Sequence, residues 1–300
     1  MGYGPHRRPD TDFGDAGVRT YYVNANGGAD FATITQAVAY IATALTGGPR
    51  RIVVCPGAYV ESPTLPTQTE LVGIGDVLIT GTITCTAAAT TPTYLRNLRV
   101  AGSIVLGASA MTYQIEDVQI TTSAAGTGIN ADMGTPFAGQ GDLRLRNVRI
   151  TTSAVGIGIL GQGVAISADD LVVACPASTG ISLVAGDAAT QRTSFRGGTV
   201  RISGEAVVAG ILTADGLAAG DEQVSIEIAD LTLELAGAPA GGLYGAALFS
   251  FGAPTGGAPA QVVNRLASLF FVRTGVATAP SSELIDFKLI TREPLAFALT

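Results

Sequence analysis

The chain has 300 residues and a formal net charge of −7, and 14% of its residues are charged while 47% are hydrophobic. This acidic balance argues against nucleic-acid binding, which normally requires a basic surface. No apolar run reaches the roughly 18 residues of a membrane-spanning helix. Residues 1–15 are polar and charged, so neither a signal peptide nor a membrane partner is expected.

The N-terminal segment has no apolar period. Residues 1–20 are rich in Gly, Pro, Asp and Arg, which predicts a flexible N-terminal arm that becomes ordered against a partner. Residues 21–300 are predicted to form a single domain that begins with a short strand at Tyr21–Asn24.

An amphipathic helix is predicted over about residues 31–45. Thr33 can cap its first turn while the side chain of Gln36 reaches back, as in a capping box. Because the helix precedes the strand expected at Arg51–Cys55, we expect it to cover the open end of a stack of strands. Its apolar positions recur at helical spacing, at Phe31, Ile34, Val38 and Ile41.

A strand–bend–strand phrase recurs along the chain, and residues 143–160 (LRLRNVRITTSAVGIGIL) show it most clearly. Apolar and polar residues alternate on both sides of Asn147, a residue type that tolerates the left-handed backbone of a bend. Equivalent bends, separated by 20, 30, 23, 29, 31 and 38 residues, are predicted at Asn97, Asp117, Asn147, Asp170, Thr199, Asp230 and Ser268.

Repetition at this period indicates a solenoid, and the strand pair in each repeat makes it a β-solenoid. A two-sheet sandwich is the alternative, but its hairpins need Asn-Gly or Asp-Gly turns, and the chain has only Asn26-Gly27 and Asp215-Gly216. Because the repeats differ in length, the predicted fold class is all-β: a right-handed parallel β-helix with variable loops, the capping helix and the N-terminal arm.

The opening of this domain resembles a known superfamily. Residues 28–38 read Gly-Ala-Asp-Phe-x-x-Ile-x-x-Ala-Val, and residues 52–61 read Ile-Val-Val-x-Pro-Gly-x-Tyr-x-Glu. This order is similar to the start of pectinesterase-like and pectate-lyase-like proteins. The resemblance covers roughly residues 21–75 and implies the right-handed parallel β-helix of that superfamily, which includes many bacteriophage tail spikes.

The catalytic phrases of the enzymes in that superfamily are missing. Pectinesterase Gln-Asp-Thr-Leu and Asp-Phe-Ile-Phe-Gly, polygalacturonase Gly-His-Gly and pectate lyase Arg-x-Pro-x-x-Arg do not occur, and the chain has no Trp. The resemblance therefore implies the fold, and the sequence favours the absence of enzymatic activity without deciding it.

Three aspartates are candidate catalytic groups. Asp169 and Asp170 could supply a general acid and a general base, as paired carboxylates do in glycosidases, and Asp142 is a further candidate. The structural alternative for Asp170 is favoured, because it lies at a predicted bend and Asp is a common turn residue. Cofactor-binding residues are not apparent, and no cofactor is expected.

A longer excursion separates Ile129 from Leu143, and functional residues often lie on such loops. Asn130, Asp132 and Asp142 could offer hard oxygen ligands to calcium. Their spacing matches no known calcium loop, so a metal site is not expected there.

Arginines at predicted outward positions could stack as a ladder that binds an anionic glycan. A solvated face, or a subunit contact with the acidic neighbours, is the favoured alternative. The arginines are Arg96, Arg99, Arg144, Arg146 and Arg149.

The C-terminal region, about residues 240–300, contains loosely spaced apolar and aromatic residues, which suits a second cap or a contact between protomers. A homotrimer is expected from the resemblance to tail spikes, with a self-capped monomer as the alternative. Cys55, Cys85 and Cys175 follow no metal spacing and are predicted to act as small buried hydrophobic side chains.

Three functions fit these observations. The favoured hypothesis is a non-enzymatic structural protein of a bacteriophage virion, assembled in the host cytoplasm, whose residues 1–20 bind other virion proteins while its loops bind a receptor such as a host-surface glycan. The alternatives are a polysaccharide-degrading spike or carbohydrate esterase or lyase, and a cell-surface adhesin.

Overall fold

The computed structural model describes residues 17–44, 48–86, 92–107, 112–122, 126–132, 141–152, 156–162, 164–175, 180–184, 191–203, 209–214, 223–236, 247–251, 261–266, 269–274 and 285–286. Residues 1–16 of the predicted arm, the bend predicted at Ser268 and most of the predicted C-terminal cap lie outside this part of the chain.

The described residues form one helix and 23 strands. The helix, α1, is Ile34–Ala44, and no helix in this part of the chain is long and apolar enough to cross a membrane. The strands of the first half are β1 (Arg19–Val23), β2 (Arg50–Val54), β3 (Gly57–Val60), β4 (Thr64–Leu65), β5 (Thr69–Gly73), β6 (Val77–Thr80), β7 (Ile83–Cys85), β8 (Thr93–Ala101), β9 (Ile104–Leu106), β10 (Thr112–Thr122), β11 (Ile129–Asp132) and β12 (Gly141–Thr152). Those of the second half are β13 (Ile159–Gln162), β14 (Val164–Cys175), β15 (Ile181–Val184), β16 (Gln191–Ser203), β17 (Ala209–Ala214), β18 (Gln223–Ala229), β19 (Leu231–Ala236), β20 (Ala247–Phe251), β21 (Gln261–Leu266), β22 (Leu269–Thr274) and β23 (Ile285–Asp286).

The strands form two long sheets. The smaller has nine strands in the order β23-β20-β17-β15-β13-β11-β9-β7-β4, and the other 14 strands form the larger sheet. From β4 to β20, each strand of the smaller sheet is followed by one or two strands of the larger sheet before the chain returns to the smaller sheet. We call each such passage a repeat.

Every pairing between the described strands is parallel, so each repeat stacks on the one before it. The antiparallel hairpins of a two-sheet sandwich are not found among these strands. An all-β chain with long parallel sheets and one short helix is compatible with a parallel β-helix.

The larger-sheet strands pass through a bend without leaving the sheet. In β12, Leu145 faces inward, Arg146 and Asn147 both face outward, and Val148 faces inward again. Two outward residues in succession shift the in-out alternation by one position, so that both halves of the strand turn their apolar sides to the core. The bend residues have left-handed backbone, with φ of 53°, 55°, 50°, 54° and 57° at Asn97, Asp117, Asn147, Asp170 and Asp230.

The bend predicted at Thr199 is wrong, because Gly197 takes that place. Strand pairing sets Gly197 beside Asp170, and its φ is 66°. A Cβ atom on residue 197 would lie 2.8 Å from Oδ1 of Asp170, so glycine satisfies both the backbone conformation and the close approach.

Inward side chains form one hydrophobic cluster that joins both sheets and α1. Burial of each Leu or Ile contributes about 1.5–3 kcal/mol relative to exposure, so every repeat adds to the stability of its neighbours. One buried column runs across successive larger-sheet strands through Leu95, Ile115, Leu145, Ala168, Phe195 and Ile228.

Small residues make the corner between the two sheets. Gly158 precedes β13, and a methyl group there would overlap Val173 and lie 2.5 Å from the carbonyl oxygen of Gly180 in the next repeat. The N–H of Ile159 donates to that same oxygen at 3.0 Å. Glycine therefore lets adjacent repeats approach closely enough to hydrogen-bond at the corner.

The helix α1 packs against β1, β2 and β4, the first strands of both sheets. Its buried residues are Ile34, Ala37 and Ile41, each 0% exposed. The carboxylate of Glu61 accepts hydrogen bonds from the N–H groups of Ile34 (2.9 Å) and Thr35 (2.7 Å). An anion at the helix N-terminus satisfies unpaired N–H groups and complements the helix dipole, so Glu61 fixes the helix on the stack.

The first strand begins at Arg19, two residues before the predicted start at Tyr21. Its outer edge is covered by the segment that leads to α1. The N–H of Tyr22 donates to the carboxylate of Asp30 at 2.9 Å, and the N–H of Phe31 donates to the carbonyl oxygen of Tyr22 at 3.1 Å. This contact occupies part of an edge that could otherwise pair with another chain.

Substitution of Asn147 tests the left-handed bend. Asn147→Val and Asn147→Gly both remove the side-chain amide, but only Val has to bear the steric cost of left-handed backbone. We expect Asn147→Val to lower the free energy of unfolding by about 1–2 kcal/mol more than Asn147→Gly does, measured by urea denaturation. Equal stability of the two variants would contradict a left-handed residue at this position.

Candidate functional site: a trough along the bends

The outward residues that immediately precede the bends carry alternating charge. Across consecutive strands the pairing aligns Arg96, Glu116, Arg146, Asp169 and Arg196. Opposite charges on neighbouring strands attract, whereas like charges would repel at the strand spacing of about 4.8 Å. The register of the repeats therefore places favourable partners side by side.

Ion pairs link this column to the first strands. Nε of Arg96 lies 3.2 Å from the Glu116 carboxylate, and the Arg146 guanidinium lies 3.7 Å from it. On its other side Arg96 contacts Glu70 at 3.1 Å, and Glu70 also pairs with Arg51. The five side chains form one chain of contacts, which we call the charge ladder: Arg51, Glu70, Arg96, Glu116 and Arg146.

The arginines do not form a continuous stripe on the described strands, the less favoured of the two sequence interpretations. Glu116 lies between Arg96 and Arg146, and Gln119 lies between Arg99 and Arg149 in the strand register. The fifth of these arginines, Arg144, is in another column and contacts Asp142 at 2.8 Å. Acidic side chains of the same chain thus pair with four of the five arginines, Arg96, Arg99, Arg144 and Arg146.

An open groove of about 680 Å³ runs beside the charge ladder. It crosses β8, β10 and β12, and its polar lining comes from two columns: the bend residues, and the residues two positions after them. Leu98 and Val118 also line it, and since their side chains are only 2% exposed they do so mainly through backbone. We call this groove the bend trough and define it by Asn97, Asp117, Asn147, Arg99, Gln119 and Arg149.

Most charged groups in the bend trough already have partners. Nδ2 of Asn147 donates to Oδ1 of Asp117 at 2.7 Å, and the Arg99 guanidinium donates to Oδ1 of Asp76 at 2.8 Å. Arg149 is exposed, and among the described residues it has no ion-pair partner. The trough therefore offers several amide groups, one accessible carboxylate and one uncompensated guanidinium.

The predicted catalytic aspartates lie at two separate places on the larger sheet. Asp142 of β12 lies opposite Ala165 of β14, and Ala165 is four residues before Asp169 on that strand. Four residues span about 13 Å along a strand, which exceeds the separation of about 5–9.5 Å between the two carboxyl groups of glycosidases. Asp169 and Asp170 are both exposed, and Asp170 is at the bend.

The predicted calcium ligands lie on different sheets. Asn130 and Asp132 belong to β11 of the smaller sheet, and Asp142 belongs to β12 of the larger sheet. Nε of Arg144 donates to the carboxylate of Asp142 at 2.8 Å. Within the described ranges, no three His, Cys, Asp or Glu side chains are close enough together to hold a metal ion.

The cysteines are unpaired thiols, two of them in the core. Cys85 and Cys175 are each 1% exposed, whereas Cys55 is partly exposed. Burial raises the pKa of the Cys85 thiol to about 12, and it also raises the pKa of Cys175. Since the thiolate is the reactive form, these two side chains act as packing groups.

Sequence reasoning missed the bend trough. Asn97, Asp117 and Asn147 were identified as bends, but the contribution of Gln119 and Arg149 depends on which repeats lie side by side. The alternation of apolar and polar residues along each strand predicts that these two residues face outward. It does not predict which residues of neighbouring strands lie side by side, because the repeats differ in length.

Glu116→Gln tests the charge ladder. The substitution keeps the shape of the side chain and removes the charge that Arg96 and Arg146 share, so we expect the free energy of unfolding to fall by about 1–2 kcal/mol. Asp142→Asn is the matched control, because its partner Arg144 is 59% exposed and the pair should contribute about 0.5 kcal/mol or less. Equal effects in urea denaturation would refute a special role for the ladder.

Alkylation kinetics test the buried thiols. At pH 8 a thiol with a pKa of about 12 is a thiolate in only about one molecule in ten thousand, and iodoacetamide has no access to it. Mass spectrometry should find Cys85 and Cys175 unmodified in the folded protein and modified in urea. Rapid labelling of Cys85 under native conditions would show that the core is packed differently.

A scan of the chain against models of known protein families finds no match, and a search of curated proteins also finds none. The resemblance of residues 21–75 to pectinesterase-like proteins thus stays a prediction, and function is inferred below from the fold and the surface.

Proposed function

We propose that this protein is a non-enzymatic structural component of a bacteriophage virion: a tail spike, fibre or decoration protein. Its domain would be a right-handed parallel β-helix of the pectin-lyase-like superfamily, used as a stiff support for a binding surface. The observation that carries this proposal is the charge ladder. Its ion pairs link, on the outer surface, parallel strands whose apolar side chains pack together in the core.

Two properties of the described strands support a load-bearing role. The core columns are apolar over many repeats, and strands inside the stack, such as β10, pair with a neighbour on both sides. The charge ladder adds contacts between strands that are far apart in sequence, such as Glu116 with Arg96 and Arg146. Both features resist sliding of one repeat against the next, because a shift would break the packing and the ion pairs together.

In this proposal residues 1–20 attach the domain to other virion proteins, and the domain assembles as a homotrimer. The protein would be made in the host cytoplasm and incorporated into the particle. The outward loops and the bend trough would face the host surface, where a glycan is the expected receptor.

A second candidate is a polysaccharide-degrading spike, and the accessible carboxylate of Asp117 in the bend trough favours it. Asp117 and Asp170 lie on either side of Asn147 in the bend column, about 10 Å apart at two strand spacings. This distance is close to the upper limit for inverting glycosidases. Asp117→Asn and Asp170→Asn would each abolish clearing of a polysaccharide lawn if the candidate were correct.

Localisation on particles tests the first proposal. We expect the full-length protein to band with purified virus particles and antibodies to label a fixed position on them. The segment 1–16 ends before β1 begins at Arg19. A variant that lacks this segment should remain folded by circular dichroism and be absent from the particles. Particles without the protein, or incorporation of the truncated variant at the normal level, would contradict the proposal.

A further inference from the structure

We propose that the chain covers the open end of its own stack of strands, with Phe13 packed on an aromatic cluster beside α1 and Asp15 paired with Arg19. The inference goes beyond the proposed function, because it concerns the free chain before any partner is bound. The described part of the chain begins at Gly17, two residues before β1, so the segment that contains Phe13 and Asp15 joins the structure at this end.

Exposed hydrophobic side chains are concentrated at the same end of the stack. Among the described residues, the large exposed ones all precede β6: Tyr22, Tyr40, Val60 and Ile74. Tyr40 is 45% exposed, and its ring centroid lies 5.8 Å from that of Tyr21 and 5.4 Å from that of Phe31. We call these three residues the aromatic cluster. Exposed apolar patches of this kind usually contact another segment or a partner.

The edge of β1 beside the aromatic cluster is only partly occupied. Alternate residues of β1 bond to β2, as when the N–H of Cys55 donates to the carbonyl oxygen of Val23 at 2.8 Å, so Thr20 and Tyr22 face the opposite edge. The segment that leads to α1 bonds to the N–H and C=O of Tyr22. The N–H and C=O of Thr20 have no hydrogen-bond partner among the described residues. An extended segment placed there would satisfy both groups.

A reversal of the chain at Gly17 would bring the preceding residues to that edge. The φ of Gly17 is 119°, a conformation that glycine adopts readily. Phe13 is four residues before Gly17 and Tyr21 is four residues after it, and four extended residues span about 13 Å. A reversal centred on Gly17 therefore sets Phe13 opposite Tyr21 and Asp15 opposite Arg19. Opposite residues of paired strands have their side chains on the same face, which puts the Phe13 ring beside the aromatic cluster.

Charge complementarity favours this segment over a second copy of the chain. Arg19 is exposed and has no ion-pair partner among the described residues. Burial raises the pKa of Tyr21, and the nearby guanidinium groups of Arg19 and Arg50 lower it in part, so positive charge lies beside the cluster. Residues 10–15 (DTDFGD) carry three aspartates around one phenylalanine. A two-fold contact between copies would instead bring like charges together.

The small size of the aromatic cluster also favours a tethered segment. Three rings and one open strand position offer much less surface than the roughly 800 Å² per partner that a stable protein–protein interface buries. A segment joined to β1 by a few residues has an effective concentration on the order of millimolar. A small contact is therefore sufficient to keep it in place.

A single fluorophore tests this inference. The chain has no Trp, so Phe13→Trp in the full-length protein reports on this position alone. We expect acrylamide to quench the fluorescence roughly threefold less in the folded protein than in urea, at every protein concentration, because the ring is packed. Tyr3→Trp is the matched control outside the proposed contact, and its quenching should be nearly equal in the two conditions.

Further substitutions in the Phe13→Trp protein locate the contact. Tyr40→Ser removes one ring of the aromatic cluster and should raise quenching close to the value in urea. Arg19→Glu sets a carboxylate against Asp15 and should do the same, and Asp15→Arg added to Arg19→Glu should restore the protection. Tyr22→Ser is the matched control, because Tyr22 is an exposed tyrosine on the other face of β1, and it should leave quenching unchanged. Circular dichroism checks that the variants are folded.

Three results would overturn the inference. They are quenching of Phe13→Trp as strong in the folded protein as in urea, protection that is lost on dilution, as contact with a second copy would give, and protection that neither Tyr40→Ser nor Arg19→Glu changes. None of them bears on whether the protein is found on virus particles. The inference and the proposed function therefore stand or fall separately.

Discussion

The long strands of the larger sheet turn at residues with left-handed backbone, one each in β8, β10, β12 and β14 and two consecutive glycines in β16, and the organisation of the surface follows from that turn. The bend sets two successive side chains outward and so creates adjacent columns of outward side chains. The residues before the bends form a charged column, the bend residues form a column of amides and carboxylates, and the residues two positions after the bends form a third column. Without the shift in alternation, the second half of every strand would turn its apolar residues to solvent. Asn, Asp and Gly recur there because they tolerate this conformation.

The columns have different consequences for function. In the column before the bend, Glu116 and its arginine neighbours satisfy one another, so that surface stabilises the stack and has little charge left for a ligand. In the bend trough, partners are incomplete, and Arg149 in particular has charge to offer. The polar groups of the bend trough thus lie beside the side chains whose ion pairs link neighbouring strands.

The sequence was sufficient for features that depend on local conformation and alternation. Asn147 was identified as a bend because apolar residues alternate on both sides of it, and α1 was identified from its helical period and the capping pair Thr33 and Gln36. Thr199 was misplaced because two consecutive glycines, Gly197 and Gly198, leave the alternation undefined. The sequence did not show that Glu116 and Gln119 separate the arginines, because register between repeats of unequal length depends on the intervening loops, and the bend trough was missed for the same reason.

Spin-label distances test most directly that consecutive repeats stack in parallel and in register. Thr80, Thr121 and Arg201 are exposed positions in one column, which runs Thr80, Ala101, Thr121, Thr151, Ala174 and Arg201. With labels on Thr80 and Arg201, double electron–electron resonance should give a backbone separation of about 24 Å, five strand spacings, and labels on Thr80 and Thr121 should give about 10 Å. A separation between Thr80 and Arg201 no longer than that between Thr80 and Thr121 would contradict the stacked parallel arrangement.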